Sequence, residues 1–538
     1  MRKLLIIVVL LLSSIYLTAQ PDTAWIRSFD TQQWDEWTAV TVDPVGNIYA
    51  AGWSYQWQVN SDWNIAKYDP SGNILWSKIV SVNPGADKDE AHHILYDPRG
   101  YIYVSGFMFG GSSSQGTITI VKYDVYGDSI WTFYAGSVGS GYPNAMKLDT
   151  AGNIYIAGKT DMETFVVKVD TGGIEQWTST FNNNGPNQTN IINDMVIDDS
   201  GSVYVAGWCD DPVNFYTDLL TIKYTPQGDT AWLRIYNGPA NYYDAARKIK
   251  IDAQGNVYVA GNVTSQTPMG SDFVLLKYDP NGNLLWDRFY NYLTPSYSFE
   301  SPCGLEIDSA GNIYIAGISS YSNSTITNDL AIRKYTADGD TLWTKRWGTP
   351  NDDEPIFMQM VSTDELYIGG YYYTGSSFES FNAFIVRFDS SGSNLWQILY
   401  DNGAGGEDEF NAMNIDNNHD IIAAGRLPGT NFFDGLLIKY DISTVGEEEI
   451  NLDKSSLSIW PNPASERVNI LIQSTTSAMS RISIYGTDGK KVFNSEQPVA
   501  VGKNILSLDL KSKHFHPGMY IVEIFINNTL YTGKFIVD

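Results

Sequence analysis

The feature that most constrains this chain is that it repeats itself. A pattern close to Asp-x-x-Gly-Asn-(Ile/Val)-Tyr-(Ile/Val)-Ala-Gly ends at Gly52, Gly106, Gly158, Gly207, Gly261 and Gly317, and degenerate copies end at Gly370 and Gly425. The steps between these glycines are 54, 52, 49, 54, 56, 53 and 55 residues. A second pattern, Lys-Tyr-Asp-x-x-Gly-x-x-x-Trp with variations, interleaves with the first and ends at Trp76, Trp131, Trp177, Trp232, Trp286, Trp343 and Trp396. Its eighth copy, Lys439-Tyr440-Asp441, stops without the Trp. The missing piece stands at the other end of the chain, where Asp22-Thr23-Ala24-Trp25-Ile26-Arg27 matches Asp229-Thr230-Ala231-Trp232-Leu233-Arg234.

Each repeat reads as four strands joined alternately by tight turns and longer loops. Pro, Gly and Asn stand in the tight turns, where a pre-set or positive φ is required. Units of about 50 residues with four strands and no helix are propeller blades. The expected fold class is all-β: an eight-bladed β-propeller over 20–441, its last blade closed by the N-terminal strand, followed by a small β-sandwich. A split repeat serves ring closure, which removes open sheet edges; an open solenoid has no use for one.

The net charge of −27, with charged residues at only 18% and aromatics at 14%, excludes disorder, which needs few aromatics and much charge. It also argues against nucleic acid or an anionic membrane as partner. Two cysteines, Cys209 and Cys303, exclude a disulfide scaffold, and five histidines leave little for a metal site. The first 19 residues and the segment from 457 are each net +2 and the linker is −3, so 20–441 carries −28.

Residues 1–19 have the charged start (Arg2, Lys3), apolar stretch and small-residue end of a signal peptide, with cleavage expected after Ala19. No other long apolar run exists, so no membrane-spanning segment is expected in the mature form. A polar linker, 442–456, separates the repeats from 457–538. Strands are expected there at 467–473, 480–486, 504–510, 519–527 and 530–537.

The repeat region resembles the SBBP-type β-propeller repeats of exported bacterial proteins, which implies the scaffold and not an activity. The Gly-x-x-x-Trp spacing is also similar to that of quinone-dependent propellers, but no vicinal Cys pair is present. In the tail, Pro461-Asn462-Pro463-Ala464, Ile484 to Lys490 with Gly489, Gly518-Met519-Tyr520 and Lys534-Phe535-Ile536-Val537 resemble the type A C-terminal sorting domain of the type IX secretion system. That resemblance implies export across a Gram-negative outer membrane, with the secretion machinery there as partner, and a secreted or cell-surface product.

Residues repeated in every blade are assigned to the blade itself: Tyr and Trp to packing, and Lys67 and its equivalents to ion pairs with turn carboxylates such as Asp43 or Asp69. Function should sit where blades differ, on the face carrying the long loops, such as Cys209–Thr217. An aromatic sector in blades 7, 8 and 1 is the first candidate: Trp34, Trp37, Trp53, Tyr55, Trp57 and Trp63 in blade 1, Tyr371, Tyr372 and Tyr373 in blade 7, and Phe432 and Phe433 in blade 8. Flat aromatic faces stack on sugar C–H faces, so a glycan is the expected ligand, with a surface protein the other. The axial channel is the second candidate, with His93, Asp194, Arg247, Lys248, Lys250 and Glu306 as a mixed acid/base set. His92 and His93 point to opposite faces and cannot chelate one metal.

Acids recur where the chain reaches each inner strand, at Asp35, Asp89, Asp244, Glu300 and Asp408. Their repetition assigns them to turns; calcium is the one metal they could hold, and no other cofactor is expected. Asp416-x-Asn418-x-Asp420 lacks the following Gly of a calcium loop and reads as a hairpin turn. The leading function is an exported binding or adhesion module. A glycan-active hydrolase or lyase, or a structural surface-layer component, is the alternative.

Overall fold

The computed structural model describes residues 20–537 except 57–59, 82–87, 109–115, 136–140, 161–162, 184–189, 214, 265–269, 291–298, 323–325, 376–379, 404, 431, 443–456, 461–463, 465–466, 475–476, 487–489, 512–514 and 527–528. The signal-peptide and linker expectations, and Trp57, Pro461, Asn462, Pro463 and Gly489, lie outside the described residues. The chain divides into two compact units, one ending at 445 and the other following it. All described elements are strands or turns, with no α-helix.

The first unit is a β-propeller built from eight four-stranded antiparallel sheets. Sheet 1 begins with strand Trp34–Val42, sheet 2 with Glu90–Asp97, sheet 3 with Gly141–Leu148 and sheet 4 with Ile191–Ile197. Sheets 5 to 8 begin with Ala245–Ile251, Glu300–Ile307, Asp353–Ser362 and Glu409–Ile415. The first strands of successive sheets touch one another, and those of sheets 8 and 1 also touch, so the first strands are innermost and the cycle closes. Sheet 8 takes its outermost strand, Asp22–Phe29, from the N-terminal end, with Arg27 opposite Leu437.

The first repeat pattern is one hydrogen-bonded unit. Asp43 Oδ1 accepts from the Val45 and Asn47 backbone N–H groups, and its Oδ2 accepts from the Asn47 amide and the Tyr49 hydroxyl at 3.2 Å. A buried Tyr needs a partner for its hydroxyl, and the turn carboxylate supplies one. Asp149 with Tyr155, Asp252 with Tyr258 and Asp308 with Tyr314 repeat the arrangement. The third-strand Lys lies over the ring of that Tyr, as Lys67 does over Tyr49 at 5.0 Å.

The expected Lys–carboxylate pairing holds only in part. Lys334 reaches Asp308 at 3.6 Å, and Lys439 reaches Asp416 and Asp420 at 2.7 and 3.0 Å. Lys67, Lys122 and Lys277 instead donate to the carbonyls of Val125, Thr171 and Ala337, each in the turn before the outermost strand of the next sheet. The lysine ties neighbouring sheets together.

Trp does the same from the outermost strand. Trp76 Nε1 donates to Val125 O, Trp131 to Thr171 O, Trp177 to Pro226 O, Trp232 to Pro280 O and Trp343 to Ser390 O, all at 3.0–3.1 Å. Trp25, on the N-terminal strand, donates to Pro70 O across the closing joint. The indole lies flat on the glycine of the same turn. Gly282, at φ +80°, has the Trp232 ring where a side chain would stand.

The second unit holds two sheets around one core. Ser458–Trp460, Arg467–Ser474 and Gly502–Asp509 form one; Lys491–Val499, Ala478–Gly486, Gly518–Ile526 and Thr529–Val537 form the other. Val468, Ile470, Ile484, Leu506, Val522 and Phe535 are buried between them. The strand Lys491–Val499 was not anticipated from the sequence. It is an edge strand, mostly exposed, so its residues are polar and Pro498 is tolerated.

Candidate ligand-binding site

The acids at the start of the inner strands are built into the fold. Asp244 accepts from the backbone N–H groups of Gly238 and Thr264, Asp353 from Thr349, Asp408 from Asn402 and Asp35 from Thr31. Each fastens the chain arriving from the preceding sheet. Burial pushes Asp244 and Asp353 up to about 7 and Asp408 up to about 6. Among the described residues no group of three or more His, Cys, Asp or Glu side chains could hold a metal ion.

Near the start of each inner strand the register shifts by one, leaving a bulged residue. In sheets 1, 3, 4 and 8 its side chain reaches the next sheet: Thr38 to Ala91 O, Asn144 to Ile192 O, Asn193 to Ala246 O and Asn411 to Trp37 O. In sheet 5 the bulged residue is Arg247, and it departs from this pattern. Its Nε donates to Asn262 Oδ1 within its own sheet at 3.1 Å.

Arg247 opens onto a cavity of about 650 Å³, within the usual range for ligand pockets of roughly 300–1,000 Å³. Ile191, Asn193, Trp208 and Phe215 line it from sheet 4 and its loop; Tyr243, Asp244, Arg247 and Asn262 line it from sheet 5 and the chain leading into it. Phe215 is 68% exposed and Tyr243 is 49% exposed. Tyr216 and Tyr242 back Tyr243, with ring centroids 5.1 and 4.9 Å from it. The pocket lies on the long-loop face. Its sequence signals were the variable loop Cys209–Thr217, which holds Phe215 and Tyr216, and the Tyr242-Tyr243 pair.

The axial candidates divide. Asp194, Lys248, Lys250 and Glu306 line a second cavity of about 240 Å³, with Lys147 and Cys303. Its carboxylates are engaged: Glu306 pairs with Lys250 at 2.9 Å, and Asp194 accepts the Ile249 and Met195 N–H groups. Burial holds the Cys303 thiol up at about 12. His93 is not part of this lining; burial drives its imidazole down to about 3, which keeps it neutral. Arg247 belongs to the loop-face pocket. The two cavities follow one another along the same inner strands, at 191–193 and 245–247, then 194–196 and 248–250.

The aromatic sector of blades 7, 8 and 1 requires correction. Trp37 and Trp63 are fully buried: Trp37 lies against Phe29 and Gly435, and Trp63 Nε1 donates to Phe107 O. They are core residues, because the joints between sheets need large flat fillers. Trp34 packs on Phe433 with ring centroids 4.7 Å apart, Tyr371 and Tyr373 pack on Phe381, and Tyr372 joins the core beside Trp347 and Phe384. Trp53 and Tyr55 are half-buried and meet edge to face; Phe432 is exposed.

What gathers this sector is Arg426, absent from the sequence expectations. It lies 5.0 and 5.7 Å from the Phe433 and Trp34 rings and pairs with Glu36, Glu407 and Glu409. Burial pushes Glu36 up to about 7. At the position just before the bulge pair, sheets 7, 8, 1 and 2 carry Glu354, Glu409, Glu36 and Glu90, whereas sheets 3 to 6 carry Tyr142, Ile191, Ala245 and Ser301. One half of the inner ring is acidic there and the other is not.

In the second unit, the Tyr520 hydroxyl donates to His516 O at 2.8 Å and its ring stacks on Phe535. Gly518 takes φ +152° and Lys534 is exposed.

Residues 458–538 match the secretion system C-terminal sorting domain family. The tail carries the type IX sorting signal, which implies engagement with that secretion machinery and a secreted or cell-surface protein. Among the described residues no helix is long and apolar enough to cross a membrane. An uncharacterized WD repeat-containing protein of Acanthamoeba polyphaga mimivirus is 21% identical over 489 residues, 66% of this chain and 34% of that protein. The regulatory protein FlaEY of Caulobacter vibrioides is 31% identical over 149 residues, 23% of this chain and 15% of that protein. This chain thus spans about a third or less of the curated relatives it matches. Among solved structures, the β-propeller domain of the Trilobed protease from Pyrococcus furiosus aligns with 68% of this chain and 96% of its own, at 8% identity and a TM-score of 0.38.

Proposed function

We propose that this secreted or cell-surface protein is a binding module, an eight-bladed propeller delivered by its small β-sandwich tail to the surface of a Gram-negative cell, and that it retains carbohydrate in the loop-face pocket between sheets 4 and 5. The observation that carries this reading is the pocket itself: a cavity of about 650 Å³ flanked by Trp208, Phe215 and Tyr243, with Asn193, Asn262 and Arg247 as its polar groups. Aromatic faces stack on sugar C–H groups, and amides and a guanidinium bond to hydroxyls and acidic substituents.

Binding is preferred over a hydrolase because of what the pocket's acid does. Asp244 gives both carboxylate oxygens to backbone N–H groups, and its equivalents Asp353 and Asp408 do related work in other sheets. Most glycoside hydrolases need a pair of carboxylates free to meet substrate. The test is retention of the full-length protein on a broad panel of immobilised polysaccharides. The double variant Trp208→Ala, Tyr243→Ala should weaken retention about tenfold, on the scale of losing two stacking contacts. Equal retention of variant and parent across the panel overturns the proposal.

A further inference from the structure

We infer that the saccharide this pocket accepts is acidic, with its carboxylate or sulfate group seated on the Arg247 guanidinium. The inference rests on the carbohydrate-binding reading above and names the class of ligand within it.

Arg247 stands at the bulge and does not bridge to the next sheet. Its counterparts in sheets 1, 3, 4 and 8 use their polar atoms on the next sheet, whereas Arg247 is anchored through Nε to Asn262 and lines the cavity. No carboxylate among the described residues lies within ion-pair distance of it. Three other half-buried arginines of the propeller have carboxylate partners, Arg346 with Asp329 at 3.0 Å, Arg387 with Glu365 at 3.2 Å and Arg426 with three glutamates, while Arg27, Arg234 and Arg288 spend their terminal nitrogens on backbone carbonyls. A half-buried charge without a counter-ion is costly, and an anionic ligand offsets that cost. A fork held at Nε leaves the two terminal nitrogens oriented for a planar acidic group.

The surroundings favour the same sign of ligand. Asp244, the acid in the pocket, is occupied by two backbone amides, and burial pushes it up to about 7. Lys248 follows Arg247 along the strand into the axial cavity, which Lys147 also lines. Neither lysine has a carboxylate within ion-pair distance among the described residues. The glutamates just before the bulge pair stand in sheets 7, 8, 1 and 2, away from sheets 4 and 5. Arg247 in this pocket and Lys248 and Lys147 in the cavity that follows it are thus cations without a carboxylate in ion-pair distance among the described residues.

Calorimetric titration of the full-length protein tests the inference with three probes: an oligouronate, the same oligosaccharide with its carboxyl groups reduced to alcohols, and a sulfated oligosaccharide of equal length. At least one acidic probe should bind about tenfold more tightly than the reduced one, the scale of a charge-assisted hydrogen-bonded pair. The acidic probe that does so identifies the group Arg247 holds. Arg247→Gln should bring the ratio of acidic to reduced affinity down to about one. Asn262→Asp supplies an internal counter-ion without emptying the site and should erase the preference too. Equal binding of acidic and reduced probes, or a preference that survives both substitutions, overturns the inference and leaves carbohydrate binding standing. If the parent binds none of the probes and none of the wider polysaccharide panel, the carbohydrate reading falls, and this inference with it.

Discussion

A Cβ on Gly52 would overlap the carbonyl oxygen of Glu36, the residue before the bulge pair in the inner strand. Gly106, Gly207 and Gly425 stand in the same relation to Glu90, Ile191 and Glu409. The most regular glycine of the repeat therefore exists for close approach of two backbones rather than for a turn. Gly100 provides the contrast: it sits at φ +88° with nothing near the place of a side chain. Gly100→Ala should cost only the left-handed strain, roughly 1–2 kcal/mol. Gly52→Ala forces two strands apart and should cost about 3 kcal/mol or more, at or above the top of the overpacking range. Urea unfolding of both variants checks this; an equal cost at both positions would refute the steric account.

The outermost strand of each sheet couples to the next through its Trp, and the joints are not equivalent. Trp232 donates to Pro280 O, but the buried Nε1 of Trp396 has no hydrogen-bond partner. Trp232→Phe keeps most of the ring and loses the bond, an expected cost of about 1 kcal/mol beyond the lost area. Trp396→Phe removes an unsatisfied buried donor and should be less costly by about 1 kcal/mol or more. Thermal unfolding of the two variants side by side measures the difference. If Trp396→Phe proves the more damaging, the carbonyl bond is not what holds these joints.

Across the whole molecule, burial sets an unusual pH response. Asp244, Asp353 and Glu36 are pushed up to about 7, and Asp218 and Asp408 to about 6, chiefly by desolvation. Between the unfolded carboxylate value of about 4 and these raised values, the folded protein binds more protons than the unfolded chain. Stability therefore falls as pH rises through that window. The turn aspartates Asp97, Asp198 and Asp308 are held below the ordinary value by hydrogen bonds and charge, so their contribution is lost only in more acid solution. Melting temperature should peak near pH 4 and decline toward pH 8; a rise from pH 5 to pH 8 would contradict the assignment. At this scale the all-β class, the repeat of four-strand units and the completion of the last sheet by Asp22–Phe29 are legible in the chain, because periodic turn residues act locally and can be read locally; the sorting tail is legible from its own short motifs. Which aromatics are core and which are open emerges only on folding. Trp37 and Trp208 are both Trp on a strand of this repeat, yet one fills a joint between sheets and the other lines a cavity. In the sequence Arg247 is one more channel charge; the bulge, its anchoring by Asn262 and the lack of a carboxylate within ion-pair distance among the described residues set it apart. Burial and charge compensation are sums over residues that only folding brings together.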